Sequence, residues 1–106
     1  MIHKDIPLEL LMDIYYYDET TGEFIRKEDQ TTVGYSWKNT YINLPADNES
    51  YKGHRVAFAL CMYQPGELVV DHKNSHKGDN RIVNLQAITQ KENIRLGWLK
   101  RRGVAR

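Results

Sequence analysis

Asp71 and His72 stand side by side in ELVVDHK, and Asn80, Asn84 and Asn93 follow in the spacing DH-x7-N-x3-NL-x7-N. Successive side chains on a strand point to opposite sides, so Asp71 and His72 can serve different partners. If the strand opened by Asn84-Leu85 pairs antiparallel with the first, Asn84 returns close to His72. A helix packed across that hairpin would bring Asn93 to Asp71, where a carboxylate and an amide oxygen can share one hard cation. Asn and Asp are also favoured in turns that do no chemistry, and a capped hairpin is the plainer reading of the same residues.

The elements that would position this set are legible around it. ELVVDHK reads as a strand, KNSHKGDN as a loop and LQAIT as a second strand with alternating apolar positions. Thr89-Gln90-Lys91-Glu92 has the form of a capping box, which starts a helix near Gln90 running toward Trp98. Upstream, Leu8, Leu11, Met12, Tyr15 and Tyr16 fall at helical spacing behind Pro7 and predict a helix over 7–17. DETTGEF is turn material leading into the strand FIRK. Residues 33–45 read as extended, with a turn at Lys38-Asn39-Thr40, and ADNES at 46–50 reads as a polar turn. Val56, Leu60 and Tyr63 predict a helix over 54–63 that stops at Pro65-Gly66.

The expected fold class is therefore α+β: a small antiparallel sheet and short helices ending in a strand-loop-strand-helix unit. The 106 residues suit a single domain, divided into an N-terminal helix and strands at 1–53, a helix plus ββα core at 54–99, and a basic tail at 100–106. With 41% hydrophobic and 27% charged residues the composition is that of a globular protein rather than a disordered one. No apolar run approaches the roughly 20 residues that cross a bilayer. The N-terminus lacks the layout of a secretory signal, so the cytoplasm is expected, that of the host if the chain is phage-encoded. Cys61, the one cysteine, has no partner for a disulfide or a thiolate zinc cage. Charge is divided unevenly: residues 1–50 hold 4 Lys and Arg against 10 Asp and Glu, whereas residues 51–106 hold 11 against 4. That basic half suits a polyanion.

The run VVDHKNSHKGDNRIVNLQAITQKEN resembles the HNH family of nucleases, whose ββα-metal fold clamps a hairpin and a helix around one divalent ion. It is similar in particular to the subgroup found among phage homing endonucleases of group I introns, where DH, a DN or NN pair, NL and TQK-x-N occur at this spacing. GYSWKNTYINL and GHRVAFAL are similar to the segment that precedes the motif there, so the resemblance covers most of residues 18–97. It implies hydrolysis of DNA phosphodiester bonds. Asp71 and Asn93 would hold the ion, Mg²⁺ or Mn²⁺ given two oxygen ligands. His72 would be the general base, and Asn84 would fix its ring by a hydrogen bond. Lys73, Lys77, Arg81, Lys91, Arg95, Lys100, Arg101 and Arg102 would face the phosphates.

Two departures from the family are visible. Asn74, Ser75 and His76 occupy a loop where relatives often carry Asp-Gly-Asn, and the further DNA-reading module of larger relatives is not expected after Arg106. Limited sequence specificity, or specificity supplied by a partner protein, is expected, with the chain acting as a nicking monomer or as a homodimer. Asn80 is read as holding the loop rather than touching substrate. His54-Arg55 is placed ahead of a helix, where phosphate contact and core packing explain it equally well. His76 is expected to be silent, and Tyr35, Trp37 and Tyr41 to be core. The competing function is a DNA-binding or regulatory protein that keeps the scaffold without cleaving.

Overall fold

The computed structural model describes residues 5–33 and 40–101, the side chains of residues 100 and 101 excepted. Leu8–Ile14 forms a first helix, α1, and the chain then turns straight into a strand, β1, at Tyr15–Asp18. The sequence predicts a longer helix here. Tyr15, Tyr16 and Tyr17 leave it because aromatic side chains suit a pleated, half-buried surface and a partner strand is at hand. That partner, β2 (Glu23–Arg26), pairs antiparallel in the register Tyr15↔Arg26 through Asp18↔Glu23 and also pairs with β3 (Thr32–Val33). The turn between β1 and β2 is tied by Asp18, whose Oδ1 accepts from Thr20 N at 2.9 Å and Thr20 Oγ1 at 2.6 Å.

A second hairpin pairs β4 (Asn43–Ala46) with β5 (Glu49–Lys52). The polar turn expected over 46–50 is narrower than that. Asp47 and Asn48, at φ 49° and 67°, make it, and Glu49 already belongs to a strand. Two adjacent positive φ angles give the twist a tight hairpin needs, and Asp and Asn tolerate them at low cost. The turn expected at Lys38-Asn39-Thr40 lies largely outside the described residues, as do Tyr35 and Trp37. Gly53–Cys61 forms α2, so His54 and Arg55 lie within a helix rather than ahead of it.

The third hairpin joins β6 (Val69–His72) to β7 (Leu85–Ile88), with a 3₁₀ turn at Ile82–Asn84 before the second strand. Helix α3 follows at Gln90–Arg101. Its start is the expected capping box: Glu92 N donates to Thr89 Oγ1 at 3.1 Å, and Glu92 Oε1 accepts from Thr89 Oγ1 at 3.1 Å. Among the described residues three short antiparallel sheets and three α-helices make the architecture α+β. No helix among the described residues is long and apolar enough to cross a membrane.

One core serves all three hairpins. Leu11, Tyr15, Phe24, Leu44, Val56, Ala57, Phe58, Val70 and Leu85 are buried together, drawn from α1, β1, β2, β4, α2, β6 and β7. Tyr15 also reaches across to donate its hydroxyl to Pro45 O at 2.8 Å. Arg55 ties α2 to the approach to β6, donating to Leu68 O at 2.8 Å and Gly66 O at 2.7 Å. Because Leu11 is fully buried, Leu11→Ala should lower the unfolding free energy by about 2–5 kcal/mol. Urea denaturation followed by circular dichroism measures this, and a loss below about 1 kcal/mol would mean α1 packs outside the common core.

Candidate active site

Asp71 and His72 end β6, opposite Gln86 and Leu85 of β7. Both are buried, which titratable side chains seldom are unless they are paired. Gln86 Nε2 donates to Asp71 Oδ2 at 3.0 Å, which steers the carboxylate. Helix α3 lies across the hairpin and contributes Asn93 to a cleft of about 250 Å³ lined also by Asp71, His72, Tyr41 and Lys77. Asn93, distant in the sequence, thus shares one opening with the adjacent Asp71 and His72. Among the described residues no cluster of three or more His, Cys, Asp or Glu side chains is placed to hold a metal ion. The donors in the cleft are one carboxylate and one carboxamide, a hard oxygen set that fits a hard divalent ion completing its shell with water and phosphate.

The His72 ring is held by Asn80. Nε2 of His72 and Oδ1 of Asn80 lie 2.9 Å apart in a buried bond. This corrects two expectations. Asn84, read as the residue that fixes the ring, instead fastens the loop: its Nδ2 donates to Asn74 Oδ1 at 3.0 Å and Asp79 O at 2.9 Å, while its Oδ1 accepts from Asn74 N at 3.0 Å. Asn80, read as a loop fastener, bonds the imidazole. The reason is local geometry. Asn84 sits in the 3₁₀ turn just before β7, under the loop, whereas Asn80 lies at the loop's inner bend with only 1% of its surface exposed.

The rest of the loop is fixed by charge. Arg81 donates to Asp79 through Nε at 2.8 Å and Nη2 at 2.8 Å, and this fork, with Asn74, holds the Asp79 carboxyl below its usual range. The Arg81 guanidinium expected on phosphate is thus engaged by a carboxylate of its own loop. His76 Nδ1 accepts from Gly78 N at 3.3 Å. Lys77 stands 5.1 Å from the Tyr41 ring at the cleft, and Lys91 and Arg95 line a groove on α3 with Ile94 and Trp98. Lys73 is exposed just after His72. The side chains of Lys100, Arg101 and Arg102 lie outside the described residues.

Tyr41 and His54 complete the site, and sequence reasoning missed both. Tyr41 is 44% exposed rather than core. Its ring stacks on His54 at 5.1 Å, and His54 in turn lies 4.9 Å from the His72 ring. His54 was obscured by its placement ahead of a helix; one residue inside α2, its side chain is carried under the hairpin. Burial, aided by the repulsion a protonated ring would meet from His72, Arg55 and Lys52, pushes its pKa from 6.5 down to about 3. Burial also lowers His72 below 6.5, against the opposing pull of the Asn80 bond and the Asp71 charge. Both imidazoles are therefore neutral at pH 7.

Residues 51–95 match the family model described as HNH endonuclease. Over this segment the chain resembles the HNH endonucleases. A solved structure titled "DNA binding and cleavage by the HNH homing endonuclease I-HmuI" is similar to the chain at 26% identity and a TM-score of 0.64. The likeness covers 98% of this chain and 62% of that one, so the chain spans a little under two thirds of the length of that nuclease. No curated protein matches the chain. The HNH family model runs from the second half of β5 to the first half of α3, and the structural likeness extends over the N-terminal hairpins as well.

Neutral burial of His54 has a signed consequence. The unfolded chain binds a proton on this ring near 6.5 and the folded chain only near 3, so its share of stability is complete above 6.5 and falls as pH drops toward 3. Between pH 6.5 and pH 5 the loss should be about 1–2 kcal/mol, with His72 adding to it in the same direction. Asp18, Asp29 and Asp79, held below 3.8, stay ionised throughout this window. Urea melts across it should show the decline in the wild type and a flatter limb in His54→Phe. An identical limb in the variant would place the protonation elsewhere.

Proposed function

We propose that the chain is a metal-dependent HNH endonuclease that hydrolyses DNA phosphodiester bonds, of the phage homing or nicking type. The observation that supports this most is the single cleft lined by Asp71, His72 and Asn93, within a segment that resembles the HNH endonucleases. His72, neutral because it is buried, is the general base that takes a proton from the attacking water. Asp71 and Asn93 would hold one Mg²⁺ or Mn²⁺ ion. Such an ion supplies charge neutralisation at the phosphate and the departing oxygen. Lys77 and Tyr41 stand at the cleft where a phosphate would enter, and Lys73, Lys91 and Arg95 extend the basic surface along the loop and α3. One cleft per chain cuts one strand, so a monomer nicks.

Supercoiled plasmid in Mg²⁺, in Mn²⁺ and in chelator tests this reading. Open circles should form with metal, and His72→Ala should slow their formation by about 10²–10⁴-fold while binding is nearly unchanged. Cleavage by His72→Ala at the wild-type rate would remove the general-base assignment. Plasmid bound tightly but left intact in both metals would make the chain a DNA-binding protein on an HNH scaffold. Cleavage of matched RNA in preference to DNA would change the substrate.

If Lys91 and Arg95 each neutralise a phosphate, replacing both with Gln should weaken binding to any sequence. The slope of log affinity against log salt should become shallower by about 2. A wild-type slope in the double variant would put the DNA elsewhere on the molecule.

A further inference from the structure

Asn80 is an expensive residue where it stands. It is 99% buried by its 1% exposure, and its Nδ2 has no hydrogen-bond partner among the described residues. A buried amide left half satisfied costs about 1–3 kcal/mol, so an apolar side chain of similar shape would be the more stable choice unless the other half of the amide is needed. That other half is the Oδ1 that meets His72 Nε2 at 2.9 Å. A carbonyl oxygen only accepts, so the imidazole must present Nε2–H to it, which leaves the basic lone pair on Nδ1.

The rest of the structure holds Asn80 from outside the hairpin and helix that carry the other site residues. Tyr17 on β1 donates its hydroxyl to Asn80 O at 2.6 Å. The turn between β1 and β2 presses on the same backbone. Gly22, at φ +77°, lies so close that a Cβ would come within 2.5 Å of Asn80 C and 2.4 Å of Arg81 N. Ile82 N donates to Glu19 O at 3.2 Å from the same turn. On the side-chain flank, Gly53 at the start of α2 leaves room for the amide, since a Cβ there would stand 3.0 Å from Asn80 Nδ2. Backbone and side chain are thus fixed by separate elements: a Cβ at Gly22 would collide with backbone, and one at Gly53 would crowd the amide.

We propose that Asn80 is the positioning residue of His72, selecting its Nε2–H tautomer, and that the β1–β2 hairpin is the brace that holds Asn80 in place through Tyr17 and Gly22. The proposal rests on His72 being the general base, and it gives the N-terminal hairpin a part in the chemistry although no residue of that hairpin reaches the cleft. Asn80 is buried and does not line the cleft. It acts through the ring.

Nitrogen-15 NMR of histidine side chains, at a pH where His72 is neutral, reads the tautomer without substrate, with His72→Gln assigning the signals. The wild type should show His72 as a single Nε2–H form. Asn80→Ala should mix the tautomers, and Asn80→Asp, which keeps an acceptor oxygen, should restore Nε2–H. Tyr17→Phe removes one hydrogen bond but keeps the ring packed 4.7 Å from Phe24. It and Gly22→Ala should also mix the His72 tautomers while circular dichroism stays native. If Gly22→Ala fails to fold, Tyr17→Phe decides the brace alone, and Asn80→Asp against Tyr17→Phe decides the positioning if Asn80→Ala fails. In the plasmid assay Asn80→Ala should lower kcat by up to about 10²-fold with KM little changed. Wild-type His72 in the Nδ1–H form, or an unaltered tautomer in Asn80→Ala, overturns the positioning role. Native His72 signals in both hairpin variants overturn the brace. A wild type that never cleaves sinks the nuclease reading alone, because the NMR arms stand without activity.

Discussion

The Asn84 carboxamide is the point on which the site hangs. The chain between β6 and β7 is a long polar loop with little apolar surface to anchor it, and such a loop keeps one shape only if its backbone groups find partners. Asn84 satisfies two of them, Asn74 N and Asp79 O, and also donates to the Asn74 side-chain oxygen. Asp79, so placed, fixes Arg81 in a forked pair and accepts from Asn74 Nδ2 at 2.9 Å. Asn80 lies between these two anchored neighbours and is thereby aimed at His72. The imidazole, the carboxylate beside it and the helix across from them keep a common opening because this loop does not drift.

Much of that was readable in the residues. The capping box at Thr89 located α3, the apolar runs located β6 and β7, and the DH…NL…N spacing located the cleft. What the sequence left ambiguous was the division of labour among asparagines, because Asn80 and Asn84 offer the same donors and acceptors and differ only in where a loop bend points them. The N-terminal helix was overextended for a related reason. Tyr15 fits a helical spacing and a strand alike, and only the presence of β2 as a partner decides between them. The hairpin β4–β5 was missed as a pair because Glu49-Ser50-Tyr51-Lys52 is polar enough to read as loop, yet its strand is formed by the backbone ladder with β4 and by Tyr51, which donates to Glu49 Oε2 at 2.7 Å. His54 and Tyr41 carried no spacing signal, since their stacking arises between distant elements.

The stack of Tyr41, His54 and His72 shows how a small domain handles polarity near its core. Two imidazoles at 4.9 Å would repel if both were charged, and burial keeps both neutral instead. The aromatic faces provide packing area, and the buried edge of His72 faces an acceptor on Asn80, whereas His54 Nδ1 is buried with no hydrogen-bond partner among the described residues. Cationic Lys52 and Lys77 approach the outer Tyr41 ring at 5.6 Å and 5.1 Å, so positive charge gathers at the mouth and is excluded from the floor.

The bond from Tyr17 to Asn80 spans 63 positions of the chain. Contacts so distant in sequence close large loops and form late, after local hairpins and helices have been made. The cleft therefore acquires its final geometry only when the first hairpin docks on the last one, and a folding intermediate with the β6–β7–α3 unit already formed would still lack its braced imidazole. In a nascent chain this ordering withholds a mature site until the whole domain has closed.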